Sequence, residues 1–285
     1  MSKLKIAIQK SGRLSEKSLN LLKESGINIS NGTSKLRAEA KNFPIEVLFL
    51  RDDDIPQYVE QQVADIGILG KNEVLEKGKN VTIIEELGFA ACRLSLAIPK
   101  GESYSGLKYF NNKSVATSYP NILSQFFANN NITAELEEIG GSVEIAPSIG
   151  LANAVCDIVS TGSTLITNGL KEVETVLKSQ AVLIANKELS KEKRDILDKL
   201  LFRIKAVIRS SENKYIVLNA PNEAIDKISG ILPGMKSPTV VPLAKQGWSS
   251  MHSVVKEDEF WDVIDQLRTL GAEGILVIPI EKMVL

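Results

Sequence analysis

The chain has 285 residues, of which 44% are hydrophobic and 24% charged, enough for a sizeable core spread over about two or three globular domains. Lys and Arg number 34 against 35 Asp and Glu, so no broad basic face for nucleic acid is encoded, and an anionic ligand must be met by a local cluster. No apolar run reaches the length of a membrane span and the start, Met1 to Lys10, lacks a signal-like core; the expected setting is the cytoplasm, with neither membrane nor nucleic acid as partner.

One histidine, His252, and two cysteines, Cys92 and Cys156, leave no material for a zinc enzyme or a Cys–His nucleophile. Both cysteines lie in apolar runs and read as reduced, buried thiols.

Leu4 to Gln9 reads as a strand, followed by the turn Lys10-Ser11-Gly12-Arg13 and an amphipathic helix from Ser15 to Ser25. Cations at a helix start oppose the dipole, so Lys10 and Arg13 are either solvated charges or partners of an anion, and the anion is favoured. The strand Ile45 to Leu50 runs into Arg51-Asp52-Asp53-Asp54-Ile55-Pro56, where Asp54 reads as an N-cap and the acidic run as capping rather than metal binding. Arg51 stands at the carboxyl end of that strand, where open α/β sheets bind ligands. Asp65 and Gly70, on the next short strand, have the same separation as Asp157 and Gly162 further on, which suggests two lobes built on one plan across a cleft.

Ala90 to Pro99 reads as a strand, then Ser114 to Thr117 as strand, a helix through Phe127, a strand from Ala134 to Glu138, the loop Gly140 to Glu144, and a helix near Ile149 to Val155. Next comes Cys156-Asp157-Ile158-Val159-Ser160-Thr161-Gly162-Ser163-Thr164-Leu165, an apolar strand emptying into small hydroxyl residues around a glycine, with Ile166 to Val176 read as the helix that follows. Such a loop offers unpaired N–H groups and hydroxyls to a phosphate, or simply caps its helix. No lysine follows the glycine and no GxGxxG spacing occurs, so neither a Walker loop nor a dinucleotide site is encoded.

Ala90–Pro99 and Gln180–Ala185 read as the two crossings between lobes, with a helix from Leu189 to Phe202 and a strand from Ile204 to Ile208 completing the first. The expected domains are residues 1–95 with 182–210, residues 96–181, and residues 211–285. The tail reads βαββαβ, the ferredoxin-like order, whose open sheet face favours oligomerisation.

The runs QKSGRLS (Gln9 to Ser15), LRDDDIP (Leu50 to Pro56), CRLSLA (Cys92 to Ala97), ATSYP (Ala116 to Pro120), GSVEIAP (Gly141 to Pro147), CDIVSTGSTL (Cys156 to Leu165), NGLKEVE (Asn168 to Glu174), LPGMKSPTVVPLA and VIPIEKM occur in the order found in one family. By these motifs, which span essentially the whole chain, the sequence resembles the long form of ATP phosphoribosyltransferase, the first enzyme of histidine biosynthesis. The resemblance implies an α/β, two-lobed catalytic core of the type II periplasmic-binding-protein kind, a C-terminal regulatory domain that binds histidine as inhibitor, Mg²⁺ dependence, and homo-oligomers ranging from dimer to hexamer. It also implies transfer of the phosphoribosyl group of phosphoribosyl pyrophosphate (PRPP) to a ring nitrogen of ATP, with release of pyrophosphate.

Under that resemblance Asp157, Lys10 and Arg51 are the expected catalytic residues. Asp157, Ser160, Thr161, Gly162, Ser163, Thr164 and Glu144 are expected to bind PRPP, and Lys10, Gly12, Arg13, Arg51, Gly70 and Arg93 the ATP and pyrophosphate chains. The implied effector pocket would use Asn219, Ser237, Thr239, Ala272 and Gly274, with N–H donors near Gly271 to Gly274 for a carboxylate. Mg²⁺ is expected to ride mainly on substrate phosphates, with no protein ligand singled out. The competing readings are a solute binder on the same fold and a catalytically degenerate regulatory subunit.

Overall fold

The computed structural model describes residues 2–30 and 36–285. In chain order the first strands and helices are β1 (Leu4–Gln9), α1 (Arg13–Glu24), β2 (Arg37–Glu39), β3 (Ile45–Leu50), α2 (Ile55–Glu60), β4 (Ile66–Gly70), α3 (Lys71–Lys77) and β5 (Val81–Glu86). They are followed by β6 (Cys92–Pro99), β7 (Ser114–Thr117), α4 (Pro120–Asn129), β8 (Glu135–Glu138), β9 (Ala154–Val159), α5 (Ser163–Thr167), β10 (Leu170–Ser179), β11 (Ala181–Asn186) and α6 (Lys191–Glu212). The tail holds β12 (Asn213–Pro221), α7 (Ile225–Ile231), β13 (Thr239–Pro242), β14 (Trp248–Lys256), α8 (Glu257–Thr269) and β15 (Glu273–Pro279).

The described residues form two compact units, Met1–Asn20 with Ile27–Leu197, and Leu21–Gly26 with Asp198–Leu285. The first holds two sheets, ordered β2-β3-β1-β4-β11-β5 and β10-β6-β9-β7-β8. Leaving aside the short β2, both follow the same plan: three parallel strands with the first in the middle, then one antiparallel strand supplied from across, then an edge strand. Thus β6, arriving after β5, enters the second sheet, and β11, arriving after β10, enters the first. Residues 87–91 and the single residue Gln180 carry the two crossings, while Cys92 and Ser179 are direct cross-strand partners.

The central strands are buried on both faces, which is why β4 (IGILG) and β11 (AVLIAN) read as continuous apolar runs instead of alternating ones. The second sheet packs Leu94, Leu96, Ile98 and Cys156 on one face and Ala97, Val155 and Val159 on the other, where Leu165 of α5 joins them.

The second unit contains a four-stranded antiparallel sheet, β13-β14-β12-β15, in βαββαβ order, so the ferredoxin-like reading of the tail is met. Ile216, Leu218, Met251, Ile228, Phe260 and Leu267 fill the layer between that sheet and helices α7 and α8.

Three sequence expectations need correction. Ile166 to Val176 is not one helix: α5 ends at Thr167, Gly169 turns the chain at φ +72°, and β10 pairs antiparallel with β6. No helix spans Ile149 to Val155, where a turn leads into β9. Ile204 to Ile208 is no strand but part of the 22-residue α6, whose buried Leu197, Leu200, Ile204 and Val207 recur at helical spacing.

Candidate functional site

The carboxyl ends of parallel β1, β3 and β4 lie side by side, since Gln9 pairs with Leu50 and Ile8 with Ile68. Lys10 and Arg51 therefore leave the same sheet edge as neighbours, and the Lys10 N–H donates to the Leu50 carbonyl at 2.7 Å. Gly12, at φ +92°, turns the chain into α1, which Arg13 opens. The Arg51 guanidinium projects into solvent with Asp53 3.4 Å away. Asp54 makes no side-chain cap to α2; Asp52 to Asp54 form a short 3₁₀ turn, and Asp52 accepts from the Gln9 amide. The capping reading of Asp54 thus fails: its backbone is already helical, which points the carboxylate away from the N–H groups it would have to meet.

The second sheet presents its counterpart. β9 leaves the ladder at Val159, opposite Arg93, which frees Ser160, Thr161 and Gly162 before α5 begins at Ser163. Gly162 holds φ +83°, a left-handed backbone that exposes the N–H groups of the turn, and the hydroxyls of Thr161 and Ser163 sit 3.1 Å apart at its mouth. Asp157 faces the same side of the sheet as Arg93 and Ser95, its carboxylate accepting the Ile158 N–H at 2.7 Å. Burial holds the Asp157 carboxyl above the usual carboxylate range, and the nearby Glu144 charge adds to this.

The equal spacing of Asp65–Gly70 and Asp157–Gly162 does not mark equivalent positions: Asp65 stands before β4 and Gly70 ends it, whereas Asp157 lies within β9 and Gly162 beyond it. β4 stays hydrogen-bonded through Gly70, which pairs with Ala181, so no free loop forms there. Asp65 is grounded by the Lys5 N–H at 2.8 Å and by Lys193 Nζ at 2.7 Å. Among the described residues no cation is bonded to Asp157, which lies in the carboxyl half of its strand, whereas Asp65 stands before the start of its own.

Arg93 is not a free cation. Glu172 on β10 grips it in a bidentate pair, and its Nη1 donates to the Ser160 carbonyl at 3.3 Å, so it buttresses the loop. The same contact draws the Glu172 carboxyl below the usual range, against a smaller opposing effect of burial. Both lobes line an open cavity of about 580 Å³ that brings Arg93 and Ser160 together with Lys71, Glu86 and Lys178. Among the described residues no group of three or more His, Cys, Asp or Glu side chains could hold a metal ion, so the donor set here builds no resident metal cage.

Sequence reasoning did not single out Glu172, nor a polar node where Tyr119 donates to Glu73 at 2.9 Å and Asn72 donates to the Tyr119 hydroxyl at 3.1 Å. Tyr119 and Glu172 do lie inside quoted motifs, ATSYP and NGLKEVE; that membership was the available signal. Burial raises the carboxyl of Glu73, and it raises the phenol of Tyr119 further still, with the Glu73 charge adding to the latter.

In the second unit Asn219 lies on β12 opposite Ser250, and a side chain at Gly274, φ +58°, would meet the Asn219 amide at 3.5 Å. Thr239 pairs with His252, whose ring accepts or donates to Tyr215 Oη at 2.9 Å and Ser250 Oγ at 3.2 Å. Two expected donors are already used: the N–H groups of Gly271 and Ala272 bond to Arg268 and Leu267, and the Ala272 side chain is buried in the core. The irregularity in β15 falls between Glu273, the partner of Asn219, and Leu276, the partner of Val217.

A family model described as ATP phosphoribosyltransferase matches residues 51–206, and one described as HisG, C-terminal domain, matches residues 210–282. The ATP phosphoribosyltransferase of Cytophaga hutchinsonii is 58% identical over 281 residues, covering 99% of this chain and 98% of that one. That of Bacteroides fragilis is 56% identical over 282 residues, covering 99% and 100%. Among solved structures, the ATP phosphoribosyl transferase (HisG:HisZ) complex from Thermotoga maritima matches at 30% identity and a TM-score of 0.63, over 72% of this chain and 98% of that one. The substrate-binding protein of an amino acid ABC transporter, at 10% identity, a TM-score of 0.50 and coverage of 74% and 95%, shares the two-lobed fold alone. The chain belongs to the ATP phosphoribosyltransferase family in its long form, a two-lobed α/β transferase of the first step of histidine biosynthesis with a ferredoxin-like C-terminal domain.

Proposed function

We propose that the protein transfers the phosphoribosyl group of PRPP to a ring nitrogen of ATP in the cytoplasm, forming phosphoribosyl-ATP and pyrophosphate. The bond from the sugar carbon to the pyrophosphate oxygen breaks as the bond to the adenine nitrogen forms. That nitrogen is already nucleophilic because the adjacent amino group donates electron density, so no histidine base is needed. The task left to the protein is to gather two polyanions and to meet the charge that develops on the sugar and on the leaving group.

In this reading the loop Ser160–Thr164 cradles the 5-phosphate of PRPP, and Asp157, with Glu144 beside it, faces the ribose. Lys10, Gly12, Arg13, Arg51 and Gly70 receive the phosphate chains from the facing sheet edge, while Arg93 serves them by holding the loop. Mg²⁺ enters as a counter-ion of the substrate phosphates, where it would neutralise pyrophosphate charge, and no step is assigned to a protein-bound ion. The observation that carries the reading is the departure of β9 from its ladder at Val159, which leaves a left-handed glycine and exposed hydroxyl side chains just after the half-buried Asp157.

The division of labour follows the expected domains: residues 1–95 with 182–210 for ATP and pyrophosphate, 96–181 for PRPP, and 211–285 for feedback inhibition by histidine. The effector would sit near Asn219, Ser237, Thr239, the Ala272 carbonyl and Gly274, at a contact between subunits of a dimer or hexamer. The outward face of the C-terminal sheet supports such assembly, since Leu276 and Ile278 remain 56% and 41% exposed there.

Purified protein supplied with ATP, PRPP and Mg²⁺ is expected to release pyrophosphate in proportion to phosphoribosyl-ATP. Folded protein that binds both substrates without releasing pyrophosphate would instead favour a solute binder or a degenerate subunit.

A further inference from the structure

The N-terminus of α4 is satisfied from the other lobe. Tyr119 at its N-cap makes no side-chain cap, and Pro120 at the first position has no N–H to offer. The next two N–H groups, of Asn121 and Ile122, donate to Oε1 and Oε2 of Glu76 at 3.0 and 3.0 Å. The Asn121 side chain adds a bond to the Glu76 carbonyl at 3.1 Å. Glu76 is only 6% exposed, so its carboxylate has left water for these groups and for the positive end of the α4 dipole.

Glu76 belongs to α3, which directly follows β4 of the first sheet, whereas α4 follows β7 of the second. The start of α3 is tied down as well. The Lys71 N–H donates to the carbonyl of Gln180, the single-residue crossing, and Asn72 exchanges two bonds with Ser179 Oγ at 3.0 and 2.8 Å. Helix α3 thus runs from the crossing to the facing helix, with the Glu73–Tyr119 bond between its two ends.

We propose that Glu76 is a positioning residue for phosphoribosyl transfer: it locks α3 of one lobe onto α4 of the other and so sets how the two substrate-bearing sheet edges meet. This rests on the transfer reaction proposed above. PRPP is held by the second sheet and the acceptor's phosphates by the first, so loosening the lock leaves each substrate its own contacts while spoiling their mutual alignment.

The test compares wild type with Glu76→Ala, Glu76→Gln and Tyr119→Phe, measuring kcat, both KM values, and the Kd of PRPP alone by calorimetry. Glu76→Ala is expected to lower kcat at least tenfold with PRPP affinity within twofold of wild type. Glu76→Gln, which keeps one acceptor oxygen, should recover part of the loss. Tyr119→Phe removes only a hydroxyl from the same contact, so it keeps the test decisive if Glu76→Ala misfolds, and it should lower kcat severalfold at unchanged PRPP affinity. Turnover at wild-type rates in folded Glu76 and Tyr119 variants, or PRPP affinity falling in step with kcat, overturns the proposal. A wild type that releases no pyrophosphate fails the reaction itself, which is a separate result.

Discussion

Asp157 carries its charge at a disadvantage. It is largely withdrawn from water, accepts one backbone N–H, and has Glu144 close enough to repel it, so its carboxyl is held above the ordinary carboxylate range. A group whose folded pKa exceeds its unfolded value stabilises the fold while protonated, below the unfolded pKa of about 3.9, and loses that contribution as pH rises through the folded value. At pH 7 the ionised Asp157 is therefore a net burden on stability. Asp157→Asn, similar in shape and still able to accept the Ile158 N–H, is expected to melt above wild type at pH 7, with the difference shrinking as pH falls towards about 4. Its turnover should drop by about 10²-fold or more, because the charge that burdens the fold is the one proposed to face the sugar. Melting curves across pH and a pyrophosphate-release assay check the two halves. Asp65 offers the contrast: neutralising it strands Lys193 and should destabilise instead.

Among the elements, the β9–α5 loop is built from exposed side chains around a left-handed glycine, so its chemistry separates from its stability. Thr161→Ala removes an exposed hydroxyl that is hydrogen-bonded to Ser163. PRPP affinity is expected to fall about tenfold, roughly 1.4 kcal/mol, with the melting temperature nearly unchanged; calorimetry and thermal denaturation separate these effects. The turn from strand to helix was legible in the sequence because small hydroxyl residues around a glycine after an apolar strand mark a helix start, whether as a cap or as an anion site. The strand after it was not. In β10, register shifts between Glu172 and Glu174 and between Thr175 and Leu177 leave Val173 and Val176 as extra residues. Those shifts break the alternation of a strand and space Leu170, Val173, Val176 and Leu177 as a helix would, so the period itself misleads. In α6, IKAVI by itself has the composition of a strand, but Ile204 and Val207 continue the helical spacing begun at Leu197 and Leu200.

At the scale of the molecule, the tail order βαββαβ was readable from spacing, since turn residues and apolar runs mark each of its strands; the two-lobed plan was suggested, but β5 and β10, the edge strands that complete it, were not. The Glu76–α4 contact was not, because a carboxylate that caps a helix of another lobe leaves no local pattern around itself. If the C-terminal domain carries the histidine site, an Asn219 substitution should uncouple inhibition from catalysis. Asn219→Ala is expected to raise the histidine concentration for half-inhibition at least tenfold while kcat without histidine stays at the wild-type value. Inhibition that persists unchanged would place the effector elsewhere.

The position of β11 has a consequence for how the chain comes together in time. Its place is between β4 and β5, yet it is made only after every strand of the second sheet has been synthesised. The first sheet therefore waits, its edge open between two strands already in hand, until the second lobe is finished and Gln180 returns the chain. During synthesis, which runs from the N-terminus, the lobe that begins later can close first.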